Sequence, residues 1–195
     1  MFEHPEFRAV YCGWNRIETF KPTLEGDLSF EILSSRNIII TNTIMMWKED
    51  AIACGGFDPT FKRHQEASLL LNYFRNGGRI GVISDVLVDF DLSDSSNRPS
   101  NSDLFEEYTI HMLNSYTDLI EKCELERAGA INDIYSWRYR GILLGHLQAR
   151  NYGSAIRVYS RMVKKMPIKF NVDLFCYCLK WLERKINGYK SKESD

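Results

Sequence analysis

The sequence predicts an α/β body followed by an all-α extension, and three observations carry that reading. Strand-like apolar alternation and β-rich runs fall before residue 91, mixed with short helices. Apolar stripes at helical spacing fill the chain after residue 102. Between them, residues 91–102 (Asp-Leu-Ser-Asp-Ser-Ser-Asn-Arg-Pro-Ser-Asn-Ser) are polar and rich in turn formers. This places a boundary there and divides the chain into residues 1–98 and 99–195.

Taken in order, residues 9–12 read as a strand. Asp27 is placed to cap a short helix through Leu28, Ile32 and Leu33 that ends near Asn37. Residues 38–46 are apolar and β-rich, which fits one or two buried strands. A short helix over residues 48–54 stops at Gly55-Gly56, where glycine permits a left-handed exit. Phe57-Asp58-Pro59 is then a turn, with Asp58 bonding its own backbone. Ala67, Leu70, Leu71 and Phe74 fall at i, i+3, i+4 and i+7, so they form one stripe of a helix ended by Asn76-Gly77-Gly78. Ile80, Val82, Val86, Val88 and Phe90 alternate, broken by Ser84-Asp85, which suggests two short strands around a turn. Beyond the boundary, Phe105, Tyr108, Met112, Tyr116, Leu119 and Cys123 make one stripe. Ile131, Ile134 and Trp137 begin a second helix. Ala155, Ile156, Tyr159, Val163 and Met166 make a third, stopped by Pro167, and Phe175, Cys178, Leu179, Leu182 and Ile186 a fourth.

Bulk properties exclude several classes. The 195 residues are 44% hydrophobic and 26% charged, which are globular proportions rather than disordered ones. No apolar run approaches membrane-spanning length, and Met1 leads into Phe2-Glu3-His4-Pro5 with no secretory pattern. A cytoplasmic chain is therefore expected. Five scattered cysteines without a Cys-x-x-Cys argue for reduced, partly buried thiols. The net charge of -1 conceals a split: residues 1–137 carry -10 and residues 138–192 carry +11.

Function concentrates in residues 54–76, which begin Cys-Gly-Gly-Phe-Asp-Pro-Thr-Phe-Lys-Arg-His-Gln-Glu. This segment resembles family 2 glycosyltransferases of the GT-A fold. In that family a Gly-Gly-Phe-Asp turn follows a short helix, and an acidic residue then opens a leucine-rich helix. Glu3-His4-Pro5-Glu6-Phe7 with Ala9-Val10-Tyr11 resembles the family's preceding helix end and strand, and residues 79–90 its later strand pair. The likeness covers roughly the first half of the chain, so residues 1–98 are expected to be the acceptor-side half of a GT-A-like domain.

The resemblance implies transfer of a sugar from a nucleotide-sugar donor to a glycan or lipid-linked acceptor, in bacterial surface-polysaccharide synthesis. It implies that Glu66 is the catalytic base, taking the proton of the acceptor hydroxyl as that oxygen attacks the anomeric carbon. The family more often has Asp there, so Glu66 is one methylene longer. The physical reading agrees, because a carboxylate in a first helical turn sits at the positive end of the dipole and stays ionised. Acidic residues also favour that position for stability alone. Arg63, His64 and Gln65 precede the base and are candidates to contact acceptor hydroxyls or donor phosphates; a solvated loop is the alternative for Arg63. Asn42 and Thr43 are candidates to line the site, or else a strand end with satisfied polar side chains.

For the complete enzyme the family's first half would supply the nucleotide-sugar site and an Asp-x-Asp-like motif for a divalent metal, Mg or Mn. Nothing before Ala9 can form such a unit, so the chain is expected to begin after it and to transfer no sugar alone. Asp89-Phe90-Asp91 matches by letters but follows Gly-Gly-Phe-Asp instead of preceding it, so no metal ligand is assigned to this chain.

Lys164, Lys165, Lys169, Lys180, Arg184, Lys185, Lys190 and Lys192 lie beside Phe175, Trp181 and Leu182. A basic amphipathic helix of this kind suits an anionic membrane surface, at the inner face of the membrane. The alternative is a helix packed on the body with its lysines in water. Residues 152–167 also resemble the second helix of a tetratricopeptide repeat, without a second copy. A noncatalytic helical interaction module is therefore the competing function. No nucleic-acid reading motif accompanies the basic segment, so no nucleic-acid partner is assigned.

Overall fold

The computed structural model describes residues 4–16, 18–36, 39–89, 102–165 and 176. The chain divides into two compact units, Met1–Arg138 and Tyr139–Asp195. The fold is mixed α/β.

The first unit is built on a four-stranded mixed sheet. β1 (Ala9–Asn15) is its centre. β2 (Thr19–Phe20) and β3 (Ile44–Met46) pair antiparallel with opposite ends of β1, and β4 (Ile80–Asp89) runs parallel along its length. Residues 9–13 of β1 are all buried, as expected of a strand covered on both faces. The parallel pair requires a long crossover. The chain makes it through α1 (Ser29–Leu33), a 3-10 turn at Thr41–Thr43, β3, α2 (Lys48–Ala53) and α3 (Gln65–Arg75).

The local signals around that crossover act as predicted, except that Leu28 rather than Asp27 holds the N-cap position of α1, which has no side-chain cap hydrogen bond. Asp27 Oδ1 accepts from the Ser29 backbone N–H at 2.9 Å and from its hydroxyl at 2.6 Å, opening α1. Gly55 and Gly56 leave α2 with φ of 87° and 65°. Ala67, Leu70, Leu71 and Phe74 are buried along α3. Leu69 and Tyr73 are buried too, so α3 is an interior helix rather than a half-exposed one.

Of the expected strands over residues 38–46, the described residues 39–46 supply one short strand, because the polar Thr41-Asn42-Thr43 turns there. The expected strand pair over residues 80–90 is a single strand. Ser84-Asp85 is a bulge: Ile83 opposes Cys12, whereas Val86 opposes Gly13. A Cβ on Gly13 would lie 2.7 Å from the Phe20 carbonyl oxygen and 3.1 Å from that of Asp85, so the strand crossing needs glycine.

The stripe over residues 105–123 belongs to two helices, α4 (Ser102–Ser115) and α5 (Thr117–Glu126), which break at Tyr116. Arg75 holds the break: Nε and Nη2 donate to both Asp118 oxygens, at 2.8 and 2.5 Å, and Nη2 also donates to the Ser115 carbonyl at 2.9 Å. Met112, Leu113, Tyr116, Leu119, Ile120, Cys123, Ala130 and Ile134 share one core with Leu33, Leu70, Leu71 and Phe74. The compact units divide after Arg138, inside α6 (Ala130–Gln148).

In the second unit, α7 (Tyr152–Lys165) buries Ser154, Ala155, Val158 and Met162. The predicted stripe was misphased there, since Ile156 is 67% exposed and Val163 46% exposed. Trp137, expected on a buried face of α6, is 44% exposed. Among the described residues, Cys12, Cys54 and Cys123 are buried free thiols and Cys176 is an exposed one. No helix among the described residues is long and apolar enough to cross a membrane. The fourth predicted helix, the basic residues from Lys169 to Lys192, Asp91 and most of the 91–102 boundary lie outside the described residues.

Candidate functional site

The segment between α2 and α3 is a chain of short local fixations. Asp58 Oδ1 accepts from the Thr60 backbone N–H at 2.8 Å and from its hydroxyl at 2.7 Å, closing the turn after Gly-Gly-Phe. Phe61 is buried, with its ring 4.6 Å from His111 and 6.0 Å from Tyr116. The Arg63 guanidinium lies over the Phe105 ring at 5.5 Å, so this side chain is seated on α4 rather than fully solvated.

His64 then takes a left-handed backbone, φ 62° and ψ 29°, immediately before α3. This conformation is uncommon for a residue with a Cβ and marks local strain. The turn directs the imidazole inward instead of over the helix end, and no side chain caps α3. Its Nε2 is buried with no hydrogen-bond partner. Burial, reinforced by the positive charges of Arg138 and Arg63, pulls its pKa down to about 4, so the ring is neutral near pH 7.

His64, Glu66, Ala67 and Leu70 form one wall of a cavity of about 160 Å³; Ile32, Ser35, Ile39 and Arg138 complete it. Arg138 is 7% exposed. Its Nε donates to the Leu33 carbonyl at 2.6 Å and its Nη2 to the Ile32 carbonyl, capping the end of α1. Burial lowers its pKa to about 10, which leaves it charged at neutral pH.

The structure thus brings Glu66 and His64 together in one cavity. Gln65 is exposed at the start of α3, and Asn42 is exposed on the 3-10 turn. Thr43 is buried, its hydroxyl donating to the Ile40 carbonyl at 2.8 Å. None of these three lines the cavity, and neither does Arg63. Asp89 lies away from it too, accepting from Asn15 Nδ2 at 2.8 Å.

Arg138 is the member that sequence reasoning missed. It follows the buried Ile134 by one helical turn, which puts an arginine on a buried face of α6. That spacing was the available signal.

A second cavity of about 330 Å³ is lined by Glu6, Arg8, Asp50, Cys54, Tyr73 and Arg79 among others. Its main polar groups are engaged: Arg8 Nε donates to Asp50 at 2.7 Å, and the Tyr73 hydroxyl to the Arg79 carbonyl at 3.1 Å. The smaller cavity therefore has the stronger chemical case. It combines a carboxylate at a helix N-terminus, a neutral imidazole and a buried cation. Such a set can accept a proton from a hydroxyl and orient the group that bears it.

No family model matches the chain, and no curated protein or solved structure matches it significantly.

Proposed function

We propose that the chain is the acceptor-side portion of a family 2 glycosyltransferase, with Glu66 as the general base. One observation supports this reading above the others. Glu66 lines a cavity in the first turn of α3, directly after the Gly-Gly-Phe-Asp turn, where the resemblance expects the base. In the reaction, Glu66 takes the proton of an acceptor hydroxyl as that oxygen bonds to the anomeric carbon, and the nucleoside diphosphate leaves with the bonding pair. The role assigned to this chain is to bind the acceptor and to take its proton. The acceptor is a glycan or a lipid-linked sugar.

Saturation-transfer NMR with a panel of oligosaccharides tests the binding. Saccharide binding that perturbs the Gln65, Glu66 and Ala67 amides is expected. In the complete enzyme, Glu66→Gln should lower kcat by at least about 100-fold with little change in donor affinity, the usual scale for a lost general base. Failure of every saccharide to reach those amides, or undiminished turnover by Glu66→Gln, would overturn the assignment.

A noncatalytic interaction module is favoured by one separate observation, the exposed Tyr152, Ile156 and Val163 on α7. That reading expects Ile156→Asp to abolish partner binding while saccharide binding is unchanged.

A further inference from the structure

The cavity at the head of α3 contains a buried positive charge, Arg138, that forms no ion pair among the described residues. Arg138 commits Nε and Nη2 to backbone carbonyls and meets no carboxylate among the described residues. Carbonyl dipoles satisfy those N–H groups but leave the net charge uncompensated, and a buried unpaired charge is costly. Glu66 and Ala67, from the first turn of α3, line the same cavity. The backbone N–H groups of Gln65, Glu66 and Ala67 open α3 without a side-chain cap and without an acceptor among the described residues. They add the positive end of the helix dipole. His64 Nε2 lies beside them with no partner. Glu66 lines the cavity but forms no ion pair with Arg138.

Which ligand these groups suit is a question of charge and size. A divalent cation on Glu66 and His64 would stand against the Arg138 guanidinium and the helix N-terminus. Water fits but balances no charge. A carboxylate or phosphate group answers both the cation and the free N–H donors, as anions do at helix N-termini. A space of about 160 Å³ receives such a group and leaves the remainder of a larger molecule outside.

Resting on the acceptor-side reading above, we propose that the acceptor is an anionic glycan: its carboxylate or phosphate seats on Arg138 and the first turn of α3, while a neighbouring hydroxyl reaches Glu66.

An amide NMR titration of the full chain tests this with four probes: a uronic-acid disaccharide, its neutral counterpart, a sugar phosphate and inorganic phosphate. The charged probes should shift the Gln65, Glu66 and Ala67 amides and compete with one another. The neutral disaccharide should bind about tenfold more weakly or worse, the scale of one charge-assisted hydrogen bond. Stronger binding by the uronate assigns a carboxylate and stronger binding by the sugar phosphate assigns a phosphate; either result supports the proposal. Arg138→Met should remove the preference and Arg138→Lys should keep part of it. If Arg138→Met unfolds because α1 loses its cap, the charged-against-neutral comparison in the unmodified chain still decides. Equal binding of neutral and charged saccharides would overturn the anionic preference and leave the acceptor reading standing. Phosphate binding without any saccharide would support the anion site and sink the acceptor reading. Silence from all four probes would overturn both.

Discussion

His64 holds a left-handed backbone at the entrance to α3, and its Nε2 is buried without a hydrogen-bond partner. A left-handed residue with a Cβ costs about 1–2 kcal/mol, so the surrounding packing must impose it. Its titration gives the protein a signed pH dependence. The folded-state pKa is about 4, below the ordinary 6.5, because burial and nearby arginines disfavour the imidazolium. As pH falls below 6.5 the unfolded chain takes up a proton that the folded chain refuses, so stability drops with acidification. Between about pH 7.5 and about pH 5 the loss from this one group should be about 2 kcal/mol. Asparagine tolerates the left-handed region and does not titrate. Urea midpoints at the two pH values should therefore differ less for His64→Asn than for the unmodified chain; an unchanged difference would show that His64 is not the titrating group. The residue scale also shows a limit of sequence reading. Arg63, His64, Gln65 and Glu66 are adjacent in sequence, yet the turn sends His64 and Glu66 into the cavity, Arg63 onto Phe105 and Gln65 to the surface.

At the scale of elements, α3 packs against α1 and α2, and Tyr116 ties it to the α4–α5 break. The Tyr116 hydroxyl lies 2.9 Å from Ser68 Oγ and donates within 3.2 Å of the Ser68 carbonyl and Asn72 Oδ1. Ser68 is fully buried, so these polar groups have no water to fall back on. Tyr116→Phe should destabilise the chain by about 1–2 kcal/mol, read as a lower urea midpoint with an unchanged slope. The same tyrosine marks the break between α4 and α5. The stripe from Phe105 to Cys123 was legible because residues on one face recur at 3.6 spacing. The break was not, since it is held by Arg75 reaching the Ser115 carbonyl and Asp118 from a distant helix. Strand β4 teaches a related point. Ser84-Asp85 interrupts the apolar alternation whether it turns the chain or bulges from it, and only the parallel pairing on β1 decides. Gly13→Ala tests that pairing. Its methyl would meet backbone oxygen on two sides, so a loss of about 2 kcal/mol or more is expected by thermal or urea unfolding.

For the whole molecule, the decisive fact is that α4, α5 and the first turns of α6 complete the core of the sheet unit. Leu33, Leu70 and Leu71 are fully buried in a cluster that includes Met112, Leu113, Ile120 and Ile134. A fragment ending at residue 98 would expose that cluster, so it should show no cooperative unfolding transition by circular dichroism and should bind a hydrophobic dye. A sharp transition from that fragment would support a division at residue 98. Liposome co-sedimentation decides between the two readings of the basic carboxyl-terminal segment: salt-sensitive binding to anionic vesicles would support the membrane reading, and its absence would remove it. The sequence by itself determined the α/β class, the strand at Ala9, the glycine exit from α2, the Asp58 turn and the buried stripe of α3, because each depends on local periodicity or turn chemistry. Only the tertiary structure decided what each stripe packs against, where the chain divides, and that Arg138 joins His64 and Glu66 around one cavity. Those depend on residues that are distant in the chain and adjacent in space; a helical stripe records that a face is buried, but not the partner that buries it.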